Sequence, residues 1–161
     1  MTDILQTRPA TPGDATELCA LLNRIIDQGG TTGHRTHFTR ARMIEHYIAP
    51  DLGIATTVAL RAGKIIGFQH IAHADPEFPG PGRLPKGWGV IATFVADGQR
   101  GLGVGRRLFA ETRAAAEAAG LAHIDATIRR ENAGGLAYYG GLGFHPYRDG
   151  PDTISKRLDL R

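Results

Sequence analysis

Arg100-Gly101-Leu102-Gly103-Val104-Gly105-Arg106-Arg107 has the residue types and spacing of an anion-binding turn. It follows the apolar run Val90-Ile91-Ala92-Thr93-Phe94-Val95 and leads into an Ala-rich helical pattern. Glycines let a backbone turn tightly enough for several N–H groups to converge on one cluster of oxygens. A helix N-terminus behind the turn adds unpaired donors and the positive end of its dipole, and Arg100, Arg106 and Arg107 add full charges. A ligand carrying phosphates is the expectation. Two common phosphate loops fit poorly. A Walker A loop ends in Gly-Lys-Ser/Thr, but Gly105 is followed by Arg106-Arg107. A dinucleotide fingerprint needs a glycine where Arg106 stands. Asp125 has the spacing of a ribose-binding acid, yet it equally reads as an outward residue of an alternating strand.

The turn needs a strand before it and a helix behind it, and the chain supplies both. Trp88–Val95 is apolar on both faces, which predicts a central strand. Val104, Leu108, Thr112, Ala115 and Ala119 line one side of a helix that Gly120 ends. Upstream, Ile4–Arg8 reads as a first strand. Thr11 as an N-cap, with Pro12 at the first helical position, opens a helix running to Asp27. A second helix starts near Thr39 and stops before Pro50. Ile54–Leu60 and Lys64–Ile71 form a hairpin about Ala62-Gly63. Asp75–Gly87, rich in Pro and Gly, is a long loop. Downstream, His123–Ile128 alternates as a strand, and Asn132–Leu142 is a last helix with Gly143 at its left-handed cap. Short strands near His145–Arg148 and Thr153–Leu158 close the chain. The order β-α-α-β-β-β-α-β-α-β-β is an α/β (α+β) sandwich in one domain, 1–161.

Arg100-x-x-Gly103-x-Gly105 after a strand resembles the acyl-CoA pyrophosphate loop of the GNAT N-acetyltransferases. Asn132-Ala133-Gly134-Gly135-Leu136-Ala137-Tyr138-Tyr139-Gly140-Gly141-Leu142-Gly143-Phe144 is similar to that family's second signature, an Asn helix ending in an aromatic-Tyr-x-x-Leu-Gly-Phe run. The Arg61-Ala62-Gly63-Lys64-Ile65-Ile66-Gly67 hairpin and the opening Thr7-Arg8-Pro9-Ala10-Thr11-Pro12-Gly13-Asp14 resemble the family as well, so the likeness spans nearly the whole chain. Its flavour is that of the phosphinothricin acetyltransferase-like branch. The resemblance implies a GNAT fold: a mixed central sheet with a splayed central strand, flanked by helices on both faces.

The resemblance also implies acetyl-CoA as co-substrate, with no metal. Its pantetheine would run along Thr93-Phe94-Val95, and the backbone from Arg100 through Gly101, Leu102, Gly103, Val104 and Gly105 to Arg106 would hold the pyrophosphate. Asn132, Gly135 and Tyr139 share one helical face. Asn132 would bond the pantetheine, and the small Gly135 would let the cofactor lie close. The expected catalytic groups are the Val95 N–H, as donor to the developing oxyanion, and the Tyr139 hydroxyl, as general acid to the leaving thiolate. Transfer would be direct, in a ternary complex without an acyl-enzyme. The acceptor would be a primary amine of a small molecule such as an amino acid derivative. The alternatives are a protein or peptide N-acetyltransferase and a non-catalytic acyl-CoA-binding sensor of the same fold.

A primary ammonium, with a pKa of about 10.4, must lose a proton before it attacks. The central strand offers no carboxylate for this. His70, His73, Asp75, Glu77 and a water chain all stay open as the base, each also reading as structural or solvated. His70 and His73, three apart on a strand, point to opposite faces and make a poor metal pair. His34, Arg35 and His37 lie where the family has substrate-contacting loops, and an Arg with two His would suit a carboxylate-bearing amine. The Asp75–Gly87 loop either covers the site or packs across a homodimer interface.

Sixteen of the nineteen basic residues are Arg, but they are scattered, so the net charge of +3 favours an anionic ligand without predicting nucleic acid. Cys19, the only cysteine, reads as a buried small hydrophobe in a reducing compartment. No apolar run approaches a membrane span and the N-terminus lacks a signal-peptide core, so the expected location is cytoplasmic. The last helix carries Gly134, Gly135, Gly140 and Gly141, each interior glycine costing about 1 kcal/mol against Ala. That helix depends on contacts from outside itself. Saturating CoA is therefore expected to raise the thermal unfolding midpoint by several degrees, read by calorimetry with and without the ligand.

Overall fold

The computed structural model describes residues 4–161. Seven strands, β1 (Leu5–Pro9), β2 (Gly53–Arg61), β3 (Lys64–His73), β4 (Trp88–Val95), β5 (His123–Arg129), β6 (His145–Asp149) and β7 (Thr153–Asp159), form one sheet in the order β1-β2-β3-β4-β5-β7-β6. Every neighbouring pair is antiparallel except β4 and β5. The strand predicted to be central is central, and its bounds are those read from the sequence.

The helices divide between the two faces. α1 (Ala15–Gln28) and α2 (Arg40–Met43), which continues as a wider π-helical turn at Ile44–Ile48, bring Leu18, Leu22, Met43 and Tyr47 against Val58, Phe68 and Phe94. On the other face, α3 (Val104–Ala118) and α4 (Ala133–Gly141) bring Phe109, Ala116 and Tyr139 against Ile71, Ile124, Ala126 and Ile128. Phe94 points to the α1 side, and Thr93 and Val95 therefore point to the α3–α4 side.

Local chemistry sets the element ends. Thr39 caps α2 by accepting from the Arg42 N–H at 3.1 Å. Gly143, at φ 102°, ends the α4 region, and the Phe144 N–H returns to the Tyr139 carbonyl at 3.0 Å. Asp125 departs from its expected outward position. It is buried, because Tyr147 and Thr127 cover it with hydrogen bonds of 2.5 and 2.9 Å. No helix among the described residues is long and apolar enough to cross a membrane.

The entry to α1 hangs on one carboxylate. Asp14 accepts from both Arg8 guanidinium nitrogens at 2.8 and 2.9 Å and from the Thr11 N–H at 2.8 Å. The Arg8 hydrogen bond lowers its pKa from 3.8 to about 2. A folded-state value below the unfolded one gives stability that is whole above about pH 4 and lost as pH falls towards 2. Arg8 is half-exposed, so the contribution is roughly 1–2 kcal/mol. Asp14→Asn should lower the melting midpoint at pH 7. Its midpoint should also fall less steeply than the wild type's between about pH 4 and 2 in a calorimetric pH series.

Candidate active site

The site begins where β4 leaves β5. β4 pairs with β3 from His73↔Gly89 to Gly67↔Val95, but with β5 only from Trp88↔His123 to Val90↔Asp125. The bonded positions at the two ends of the β3 ladder, Ala74 N–H to Trp88 and Ala96 N–H to Ile66, fix which β4 groups face β3. In an antiparallel ladder the alternate residues face away. Thr93 and Val95 therefore turn their N–H and C=O groups into the gap that β5 leaves open.

A cavity of about 430 Å3 fills that gap. Its walls are Thr93, Phe94 and Val95 of β4; Gln99, Arg100, Gly101, Gly103, Val104, Gly105 and Arg106 of the loop and α3; and Asn132, Gly134, Gly135, Tyr138 and Tyr139 of α4. Ile25 and Thr31 close the α1 side. Of the residues expected to bind cofactor, Leu102 alone is missing. It is 58% exposed, at the apex of the turn.

Positive φ values at Gly101 and Gly103, 77° and 82°, make the turn that only glycine adopts without strain. The first backbone bond of α3 runs from the Arg107 N–H to the Gly103 carbonyl at 3.1 Å. The Val104, Gly105 and Arg106 N–H groups therefore lack acceptors within the helix and sit in the cavity wall. Arg100 and Arg106 flank them, both exposed. Phosphate oxygens suit this cradle.

Tyr139 is buried, and its Oη lies 2.7 Å from the Thr93 Oγ1. Burial holds its pKa above the ordinary tyrosine value, so the hydroxyl keeps its proton through neutral pH. Sequence reasoning missed its two supports. Tyr138 donates to the Gly105 carbonyl at 2.7 Å, and Gln69, fully buried on β3, approaches both Tyr138 Oη at 3.0 Å and Thr93 Oγ1 at 2.8 Å. Burial raises the Tyr138 pKa to about 12. The available signal was an amide inside the stretch Ile65–Ala72, whose only other polar side chain is His70.

Asn132 is the N-cap of α4. Its Oδ1 accepts from the Gly135 N–H at 2.9 Å, and its Nδ2 reaches the Thr31 carbonyl at 3.3 Å. Gly135 forms part of the cavity wall, and its smallness also serves the cap: a Cβ there would sit 2.5 Å from the Asn132 Nδ2.

The base candidates do not gather at this cavity. His73, Asp75 and Glu77 are exposed, and the register sets His73 opposite Gly89, six residues along β4 from Val95, or about 20 Å. The Asp75–Gly87 loop enters β4 from that far end and contributes nothing to the cavity wall. His70 is buried on the α1 side, its Nδ1 2.8 Å from Thr56 Oγ1, and burial lowers its pKa to about 4. Arg35 and His37 point to solvent, His37 pairing with Asp27 at 2.7 Å. Only His34 turns inward. Its Nε2 lies 2.6 Å from Tyr47 Oη, and its ring sits 6.3 Å from that of Phe94, among Phe38, His46 and Tyr47. Burial, with His46 and Arg42 nearby, lowers its pKa to about 4. His46 had no sequence signal beyond its type.

Comparison with known proteins follows the same lines. The profile of the Acetyltransferase (GNAT) family matches residues 21–144. A GNAT-family acetyltransferase from Streptococcus pneumoniae superimposes with a TM-score of 0.79 at 22% identity, covering 98% of this chain and 100% of that one. A GCN5-related N-acetyltransferase from Kribbella flavida gives 0.78 at 23% identity, covering 97% and 98%. The yncA protein of Salmonella typhimurium, in a structure with its cofactor acetyl-CoA, gives 0.72 at 18% identity, covering 98% and 94%. These likenesses show the shared fold. Curated proteins give no match by sequence.

Gly105 is the tightest point of the cradle. A Cβ there would lie 2.5 Å from Tyr138 Cε1 and 2.9 Å from its Cζ. Gly105→Ala must push the Tyr138 ring out of its seat. The expected result is CoA binding weakened by about tenfold or more in calorimetric titration, with the fold retained.

Proposed function

The chain belongs to the GNAT acetyltransferase family, and from that premise we propose that it acetylates the primary amine of a small molecule, such as an amino acid derivative, by direct transfer from acetyl-CoA. The observation that carries this reading is the single cavity that joins three features. They are the outward-facing backbone of Thr93 and Val95, the Gly101–Arg106 cradle, and the Tyr139 hydroxyl.

When bound, acetyl-CoA supplies an acetyl group activated as a thioester. The chain's own groups divide the remaining work. The Val104, Gly105 and Arg106 amides, with Arg100 and Arg106, hold the phosphates. The unpaired edge of β4 aligns the long pantetheine arm as an added strand would lie. The Val95 N–H offers a fixed donor for the charge that develops on the acyl oxygen. Tyr139, protonated at neutral pH, holds the proton that the departing sulfur takes up. Overall, the amine nitrogen gives up one proton and the sulfur gains one.

Direct transfer is favoured because the cavity wall holds no thiol. Cys19 is buried in the α1 core, where burial raises its pKa and keeps it a neutral thiol. The acceptor side is assigned to the rings beside Phe94, where His34 stays neutral at working pH.

The test is thiol release from acetyl-CoA against a panel of small amines, amino acids and peptides. At least one small amine should be acetylated. Tyr139→Phe should lower kcat for it by about 100-fold with the KM for acetyl-CoA nearly unchanged. Turnover only with peptides would move the reading to a protein acetyltransferase. CoA binding without turnover of any amine would overturn catalysis in favour of a sensor.

A further inference from the structure

Gln69 lies outside the cavity wall, yet its amide sits between the cradle and Tyr139. Four hydrogen bonds run in series from the Gly105 carbonyl to Tyr138 Oη, Gln69 Nε2, Thr93 Oγ1 and Tyr139 Oη, at 2.7, 3.0, 2.8 and 2.7 Å. The direction of each is decided by the first. A carbonyl only accepts, so Tyr138 spends its one proton on Gly105. The Gln69 group facing Tyr138 must then be the donor NH2, which settles an orientation that heavy-atom positions leave ambiguous. The second amide proton goes to Thr93 Oγ1. The Thr93 proton cannot return to a nitrogen with no lone pair. Tyr138 Oη also lies near Thr93 but already accepts from Gln69, and Tyr139 Oη, at 2.7 Å, is the close partner that takes it. The Tyr139 proton is left over, on a side chain that forms part of the cavity wall.

On the reading that Tyr139 is the general acid, we infer that Gln69 is a positioning residue. Its amide orients the Thr93 hydroxyl to donate to Tyr139, which frees the Tyr139 proton for the cavity and leaves a donor waiting for the phenolate. The step balances. The Tyr139 O–H breaks as the S–H of the thiol product forms. The electron pair stays on the phenolate oxygen against the Thr93 O–H, and the proton given up by the amine nitrogen, returned through water, restores the phenol.

A second observation points the same way. Among the described residues, Gln69 Oε1 has no hydrogen-bond partner although the side chain is fully buried. An orphaned buried acceptor is costly, and a purely structural position would accept an apolar side chain at no loss. The arrangement uses both donors of the amide and sacrifices its acceptor. A carboxylate of the same shape would reverse the polarity, drawing the Thr93 proton towards position 69 and the Tyr139 proton towards Thr93.

The experiment compares Gln69→Met, which deletes the polarity, with Gln69→Glu, which reverses it, using an accepted amine and saturating acetyl-CoA. Gln69→Met should lower kcat about tenfold and Gln69→Glu about 100-fold, with the acetyl-CoA KM moving by less than about threefold. In a Tyr139→Phe background, neither substitution should cost more, because both act through the lost hydroxyl. Without any ligand, NMR of ring-labelled tyrosine should move the Tyr139 resonance in Gln69→Met while those of Tyr47 and Tyr147 stay. The melting midpoint of Gln69→Met should not fall, and this variant answers the question if Gln69→Glu fails to fold. Losses that multiply with that of Tyr139→Phe, or a kcat within about twofold of wild type, would overturn the positioning role alone. Full turnover by Tyr139→Phe would remove the general acid, and this role with it.

Discussion

The separation of β4 from β5 is the constraint on which the rest of the molecule depends. β4 stays bonded to β3 as far as Val95 but gives up β5 after Val90. Backbone N–H and C=O groups at Thr93 and Val95 are thereby left facing a cavity instead of a strand. The opening is held because each strand has other partners. β5 turns to β7 along its whole length, from His123↔Asp159 to Arg129↔Thr153, and α3 and α4 pack across the same face. The sheet thus carries an unsatisfied edge in its centre, where neighbouring chains cannot reach it and an extended ligand can.

Close approach of neighbouring side chains explains glycines that would otherwise only weaken their helices. Gly105 takes the ring of Tyr138, Gly135 takes the Asn132 cap, and Gly140 lies 3.2 Å, measured from where a Cβ would be, from Lys156 Nζ. Lys156 in turn donates to the Leu136 carbonyl at 2.9 Å, which helps hold α4 to β7. Intrinsic helix propensity is lost at these positions, and tertiary contacts of α4 with β4, β7 and the α3 N-terminus replace it.

The strand–turn–helix at Trp88–Ala118 was legible because each part has its own local signal: two apolar faces, glycines at positive φ, then a 3.6-residue period. The cradle glycines were legible for the same reason, whereas Tyr139, which lines the same cavity, stood out only through the family resemblance of the Asn132–Phe144 run. The misreadings came where side chains act across long sequence distances. Gln69 bonds Tyr138 at a separation of 69 residues, and no local pattern carries that relation. Asp125 has outward periodicity, but β6 folds Tyr147 over it. His73, Asp75 and Glu77 were drawn to the site by residue type, whereas the antiparallel register carries them to the opposite end of β4. The Asn132 side chain beside Gly135 was not legible, because a sequence does not say whose atoms fill the space beside a missing Cβ.

Removal of the amine proton can be understood without a carboxylate. At pH 7 an ammonium of pKa about 10.4 costs about 4–5 kcal/mol to deprotonate. A carboxylate beside it would raise that cost by stabilising the cation, so a strong anionic base is a mixed benefit. Burial works the other way, since it disfavours the charged form of an amine. The rings around Phe94 offer such an environment: His34 is held neutral by burial, Tyr47 keeps its phenolic proton, and Arg42 lies 3.8 Å over Phe38 with a charge that repels a second cation. On the proposed function, an amine bound against Phe94 in the cavity wall would lose hydration and gain no counter-ion from these groups. Part of the work of a base would then be done by desolvation, with a neutral imidazole or water carrying the proton away.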